Sequence, residues 1–98
     1  MSHTFQGPLF IRGSELVGRF DGLNGLTHFK AESFVNVPQC QVTTKYSFDN
    51  VGDLRGDFTG SVGPQELHIR FTHSNATMFG RLDHPGLPNK IELSGRAL

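Results

Sequence analysis

Glycine and proline are spread so evenly along this chain that hardly any helix of ordinary length fits between them. Nearly every window of 11 residues contains at least one of the two, and each weakens or breaks a helix interior. Between these interruptions the apolar residues recur at every second position, which is the spacing of a strand with one buried face. The chain is therefore predicted to be all-β.

The alternation is clearest in residues 39–48 and 66–72. On one face of the first segment lie Cys40, Val42, Thr44, Tyr46 and Phe48. Residues 26–37 follow the same rule and place Val35 on the apolar face, but Phe34 falls on the polar face. We interpret Phe34 as the mark of a bulge or of a partly covered outer face.

Turn-forming pairs separate these segments and set the predicted topology. They are Asn24-Gly25, Gly63-Pro64, Ser74-Asn75 and, within residues 85–89, Pro85-Gly86, and a further turn is predicted at residues 49–52. Their spacing is typical of a small antiparallel meander of about eight short strands that closes as a β-barrel, with a two-sheet β-sandwich as the alternative. A chain of 98 residues has room for one hydrophobic core, so residues 1–98 are predicted to form a single domain.

Three segments share a glycine between two large apolar residues at alternate positions. Their central residues are Gly18, Gly56 and Gly80. A glycine in the middle of a strand costs about 0.5–1 kcal/mol relative to alanine, so it needs a reason. Either the inward glycines let the strands curve around a barrel, or they leave space for a ligand inside it.

The tripeptide Arg55-Gly56-Asp57 has the sequence that integrin-binding proteins display. Receptor recognition requires a protruding loop, whereas the alternating pattern predicts that this copy lies in mid-strand with Gly56 facing inward. Cell adhesion is therefore not predicted from it.

Histidine and cysteine provide the remaining candidate chemistry. His68 and Arg70 share the polar face of one predicted strand, and His28 lies on the polar face of another. If those strands pair, the three side chains form either a surface binding patch or a solvated polar face. The histidine spacings match no compact metal-binding motif, so no metal is predicted.

Cys40 lies on an apolar strand face, where a thiol behaves as a small buried hydrophobe rather than as a nucleophile. Neither a catalytic residue nor a cofactor is predicted.

The charge balance limits the partners that the chain can attract. Lys plus Arg number 9 and Asp plus Glu number 9, so neither nucleic acid nor a membrane surface is predicted as a partner. The N-terminal residues lack the pattern of a signal peptide, and a lone cysteine suits a reducing compartment, so a cytoplasmic location is predicted.

Modest size, scarce charge and nine phenylalanines favour a non-enzymatic protein-interaction or self-assembly module. Such a module would act as a homo-oligomer or with a protein partner, through edge strands or outward phenylalanines. The alternative is a lipocalin-like carrier of a small apolar ligand in the barrel interior. An enzyme that uses the histidine-bearing strands is the third hypothesis. The candidate ligand-binding residues are Gly18, Gly56, Gly80, His28, His68 and Arg70.

Overall fold

Six antiparallel strands make up most of the structure, a computed structural model that describes residues 2–23, 25–84 and 87–98. The strands are β1 (His3–Gly22), β2 (Gly25–Phe48), β3 (Gly56–Val62), β4 (Glu66–Phe71), β5 (Thr77–Leu82) and β6 (Ile91–Ala97). One turn of 3₁₀ helix, Val51–Asp53, lies between β2 and β3. Within the described ranges no helix is long and apolar enough to cross a bilayer.

Five of the strands close into a barrel. Its order is β2, β5, β4, β3 and β6, and β6 pairs back onto β2. The long strand β2 pairs with two strands of the barrel: its residues 42–47 pair with β5, and its residues 31–33 pair with β6. The sixth strand, β1, pairs with β2 along both of its halves. The prediction of an all-β barrel is confirmed, and the closed ring distinguishes the fold from the alternative sandwich.

The predicted number of about eight strands is slightly too high, because the long strand β2 runs through both of the predicted segments 26–37 and 39–48. The β1–β2 ladder shifts register on both sides of Gly13, so the two strands continue through a bulge there. Gly13 has a φ of 63°, a left-handed conformation that glycine adopts without strain. Bulges of this kind let a strand turn a barrel corner without losing its partner.

Phe34 lies in this irregular stretch, as one interpretation of its position predicted. The ladder passes from Glu15 opposite Glu32 to Gly13 opposite Val37, so four residues of β2 face one residue of β1. The buried Ser33 hydroxyl donates to the Val35 carbonyl at 2.7 Å. Because of the shift, Val35 is exposed rather than on the buried face, and Phe34 is exposed beside it.

Two of the predicted turns fall partly on residues that the structure does not describe. Asn24 of Asn24-Gly25 lies outside the described residues, and so do both members of Pro85-Gly86. Gly22 pairs with Gly25 at the tip of the β1–β2 hairpin. Gly63 and Pro64 occupy the connection between β3 and β4.

A continuous cluster of apolar side chains occupies the barrel interior. Aromatic rings cross it in a chain, from Phe58 to Phe71 at 5.9 Å between centroids, from Phe71 to Phe29 at 6.1 Å, and from Phe29 to Tyr46 at 6.2 Å. These separations are those at which tilted and edge-to-face aromatic pairs attract each other. The core therefore derives much of its packing from rings on three different strands, β2, β3 and β4.

Tyr46 is the polar member of this aromatic core. Its side chain is fully buried, and its hydroxyl donates to the Pro8 carbonyl at 2.9 Å. Burial raises the pKa of Tyr46 above the ordinary value of 10.0, because the phenolate would lose its hydration. The hydroxyl thus ties the first half of β1 to the core.

Replacing Tyr46 by phenylalanine is expected to lower the free energy of unfolding at pH 7 by about 1–2 kcal/mol, because the Pro8 carbonyl loses its partner. The folded-state pKa of Tyr46 is raised, so the stability that the tyrosine contributes is present below about pH 10 and is lost as the pH rises further. The advantage of the wild type over Tyr46→Phe should therefore shrink at pH 10.5. Urea denaturation of both proteins at the two pH values measures this, and an equal difference at both would contradict it.

Candidate functional site

A cleft of about 640 Å³ opens at the end of the barrel where β3 begins and β6 ends. We call it the end cleft. Its floor is aromatic and consists of Phe5, Phe20, Phe29 and Phe48. The Phe5 and Phe20 rings stack at 5.6 Å between centroids, and Phe48 lies 5.6 Å from Phe20. A concave aromatic surface of this size is typical of small-molecule sites in proteins.

The mouth of the end cleft carries the most exposed leucines in the described chain. Leu23 is 72% exposed, Leu98 is 65% exposed and Leu26 is 58% exposed, and Val51 stands beside them at 54%. They come from the tip of the β1–β2 hairpin, the 3₁₀ turn and the residue after β6. Exposed apolar side chains gathered at one place mark a binding surface more often than scattered ones do.

Two cationic side chains stand on the rim of the end cleft. Lys30 lies on β2 and Arg55 immediately precedes β3. Both are exposed, and within residues 2–23, 25–84 and 87–98 neither takes part in an ion pair. The carboxylate side chain on the described lining is that of Asp49. The rim thus presents more positive than negative side-chain charge.

The predicted cluster of His28, His68 and Arg70 does not form. It required the strands that carry them to pair, but β4 lies between β3 and β5 and has no ladder with β2. His28 lines the end cleft. His68 and Arg70 are exposed on β4, where the His68 ring contacts Phe79 at 4.6 Å between centroids and its Nε2 lies 3.9 Å from a Glu66 oxygen.

Gly18 and Gly80 lie where the predicted pattern placed them, in strands and buried, but protein atoms fill the space beside them. A Cβ on Gly18 would lie 3.1 Å from a Leu9 methyl and would collide with the Tyr46 hydroxyl. A Cβ on Gly80 would lie 2.9 Å from the Thr44 Cα and would collide with the Thr43 carbonyl. These two glycines allow close packing against neighbouring strands, and they leave no space for a ligand beside them.

Gly56 differs from the other two, and the prediction that it is a mid-strand inward glycine is wrong. It is the first residue of β3, with a φ of 84° and open space where a Cβ would stand. Its role is conformational, because few residues other than glycine adopt this φ. The turn it makes sends Arg55 to the rim of the end cleft, while Asp57 pairs with Arg96, with 3.5 Å between a carboxylate oxygen and Nε.

A second cleft, of about 650 Å³, opens at the opposite end of the barrel strands and is lined by both Cys40 and His84. Partial burial raises the pKa of the Cys40 thiol, which is the reverse of the shift that activates a nucleophile. In the described part of the chain, no group of three or more histidine, cysteine, aspartate or glutamate side chains is placed to hold a metal ion.

Most of the end cleft was missed by sequence reasoning, which named only His28 of its lining as a candidate ligand-binding residue. One useful signal was present: Leu23 and Leu26 flank the predicted hairpin turn, where apolar residues have little chance of burial. The contributions of Lys30, Arg55 and Leu98 carry no local signal. Comparisons with models of protein families, with curated proteins and with solved structures gave no match for this chain.

Proposed function

We propose that this domain is a non-enzymatic binding module that holds a small apolar molecule in the end cleft. The observation that carries the proposal is the joining of an aromatic floor to a mouth of exposed leucines. This differs from a lipocalin-like carrier in where the ligand lies, because the apolar cluster occupies the interior and the cleft is at its end. A ligand that covers the solvent-facing leucines removes their apolar surface from water, which favours binding.

The area available in the cleft is enough for useful affinity. Each methylene group removed from water contributes about 0.8 kcal/mol, so an alkyl body that buries five or six of them gains about 4–5 kcal/mol before the cost of association. The floor is already ordered by ring packing between Phe5, Phe20 and Phe48. A site formed in advance lowers the entropy that binding must overcome.

Decan-1-ol, an uncharged probe, is expected to bind the domain and to shift the amide NMR signals of residues around the end cleft. Val51→Ser is expected to weaken this binding about threefold or more, because it removes an apolar contact at the mouth. Val17→Ser is the matched control, since Val17 is also exposed but lies outside the cleft. Equal weakening by the two variants, or shifts spread over the whole surface, would contradict the proposal.

The same apolar mouth favours a second candidate function, association with a second copy or with a protein partner. The edge of β1 supports such association less, because Pro8 has no N–H and its carbonyl already accepts the Tyr46 hydroxyl. Sedimentation of the two valine variants separates the candidates. A wild-type dimer that only Val51→Ser converts to monomer would favour association, whereas monomers throughout would favour the small ligand.

A further inference from the structure

We propose that the end cleft selects amphipathic anions, in which a carboxylate head is attached to an apolar body. This inference rests on the proposed binding function and adds the class of ligand. The head would lie at the rim between Lys30 and Arg55, and the body would lie on the phenylalanine floor. Both parts of the ligand then meet matching chemistry on one continuous surface.

The charge of Lys30 and Arg55 is the first support. Of the lysines and arginines in the described ranges, Arg96 stands beside Asp57 at 3.5 Å and Lys90 beside Glu92 at 4.0 Å. Within the described ranges, Lys30 and Arg55 have no carboxylate within that distance. A bound anion would therefore interact with them without having to displace an internal partner.

The geometry of the two cationic groups favours a carboxylate. A guanidinium presents paired N–H donors that match the two oxygens of a carboxylate, and an ammonium adds a mobile point charge. Arg55 is held at the rim by the backbone turn at Gly56, whose φ is 84°. One arginine and one lysine suit a single charged head, and each is exposed enough for that head to stay partly hydrated.

The floor of the cleft disfavours a polyanion as the ligand. Phe5, Phe20, Phe29 and Phe48 offer no hydrogen-bond donor to a second or third phosphate. The chain as a whole carries no net charge, so it lacks the field that concentrates nucleic acid at a surface. An anion with one charged end and one apolar end satisfies both the rim and the floor.

Calorimetric titration with three probes of equal chain length tests this inference. Decanoate is expected to bind about fivefold more tightly than decan-1-ol, and decyltrimethylammonium more weakly than either, as partly exposed charge pairs predict. Raising the salt from low to physiological concentration should weaken decanoate binding and leave decan-1-ol binding unchanged.

The double variant Lys30→Met, Arg55→Met is expected to remove the preference for decanoate while it still binds decan-1-ol. Lys45→Met is the control, because Lys45 is an exposed lysine of β2 outside the end cleft. Equal binding of decanoate and decan-1-ol by the wild type, or a preference that survives the double variant, would overturn the inference and leave the proposed function intact. Failure of all three probes to bind would overturn both.

Discussion

Gly80→Ala is expected to lower the free energy of unfolding by about 2–3 kcal/mol, the upper part of the range for overpacked cores. The added methyl group would lie 2.9 Å from the Thr44 Cα and 2.9 Å from a Val42 methyl, and would collide with the Thr43 carbonyl. Two of these contacts are with backbone, so they cannot be relieved by a change of side-chain rotamer. The strands β2 and β5 would have to separate, and their ladder is part of the closed barrel.

The matched control for Gly80→Ala is Gly52→Ala. Gly52 lies in the 3₁₀ turn, with no atom within 4 Å of the position that a Cβ would occupy. That substitution should be neutral or stabilise by up to about 1 kcal/mol, because alanine restricts the unfolded chain. In thermal unfolding, Gly80→Ala should lower the Tm by about 10–20 °C. Similar Tm values for the two variants would show that the strands tolerate the methyl group.

Phe71→Ala is expected to have the largest effect of any substitution considered, a loss of about 3–5 kcal/mol. Phe71 is 1% exposed, and its ring packs against Phe58 across the β3–β4 ladder and against Phe29 of β2. Removing the Phe71 ring leaves a cavity that the neighbouring rings cannot fill, because each of them is held on a different strand. Small domains are stable by only about 5–15 kcal/mol, so the variant would be close to unfolding at 37 °C.

Phe34→Ala provides the control for Phe71→Ala, because Phe34 is 69% exposed. Its effect should stay within about 0.5 kcal/mol. Phe71→Leu, which keeps most of the volume, should lose less than Phe71→Ala. Urea denaturation followed by circular dichroism measures all three. Equal urea midpoints for Phe71→Ala and Phe34→Ala would show that the aromatic contacts of Phe71 do not stabilise the core.

The burial of individual strands could be predicted because it depends on local alternation. In residues 39–48 the predicted face holds Val42, Thr44, Tyr46 and Phe48, all buried, with Cys40 half-buried at its end. Residues 66–72 behave in the same way, with Leu67, Ile69 and Phe71 buried. Side chains alternate across any strand, so the pattern holds whichever strand lies alongside.

The number of strands and the role of Gly56 could not be predicted for a different reason. A glycine or a proline can mark either the end of a strand or a bulge within it, and the local sequence is the same in both cases. At Gly13, β1 continues through a bulge. Gly56 matched the pattern of Gly18 and Gly80, yet it is the first residue of β3 and has a φ of 84°. Which of these conformations a glycine adopts depends on the strand that pairs with it, and the local sequence does not specify that strand.

Alternation of apolar residues and the distribution of glycine thus determined that this chain forms strands with one buried face, and they favoured a barrel over a sandwich. The tertiary structure alone decided what meets at the barrel end. Phe5 and Leu98 lie at opposite ends of the chain, and Arg55 lies midway between them, yet all three line one cleft. Their meeting depends on the order in which strands pair and on β6 closing onto β2, and such long-range pairing leaves no trace in the local spacing of residues.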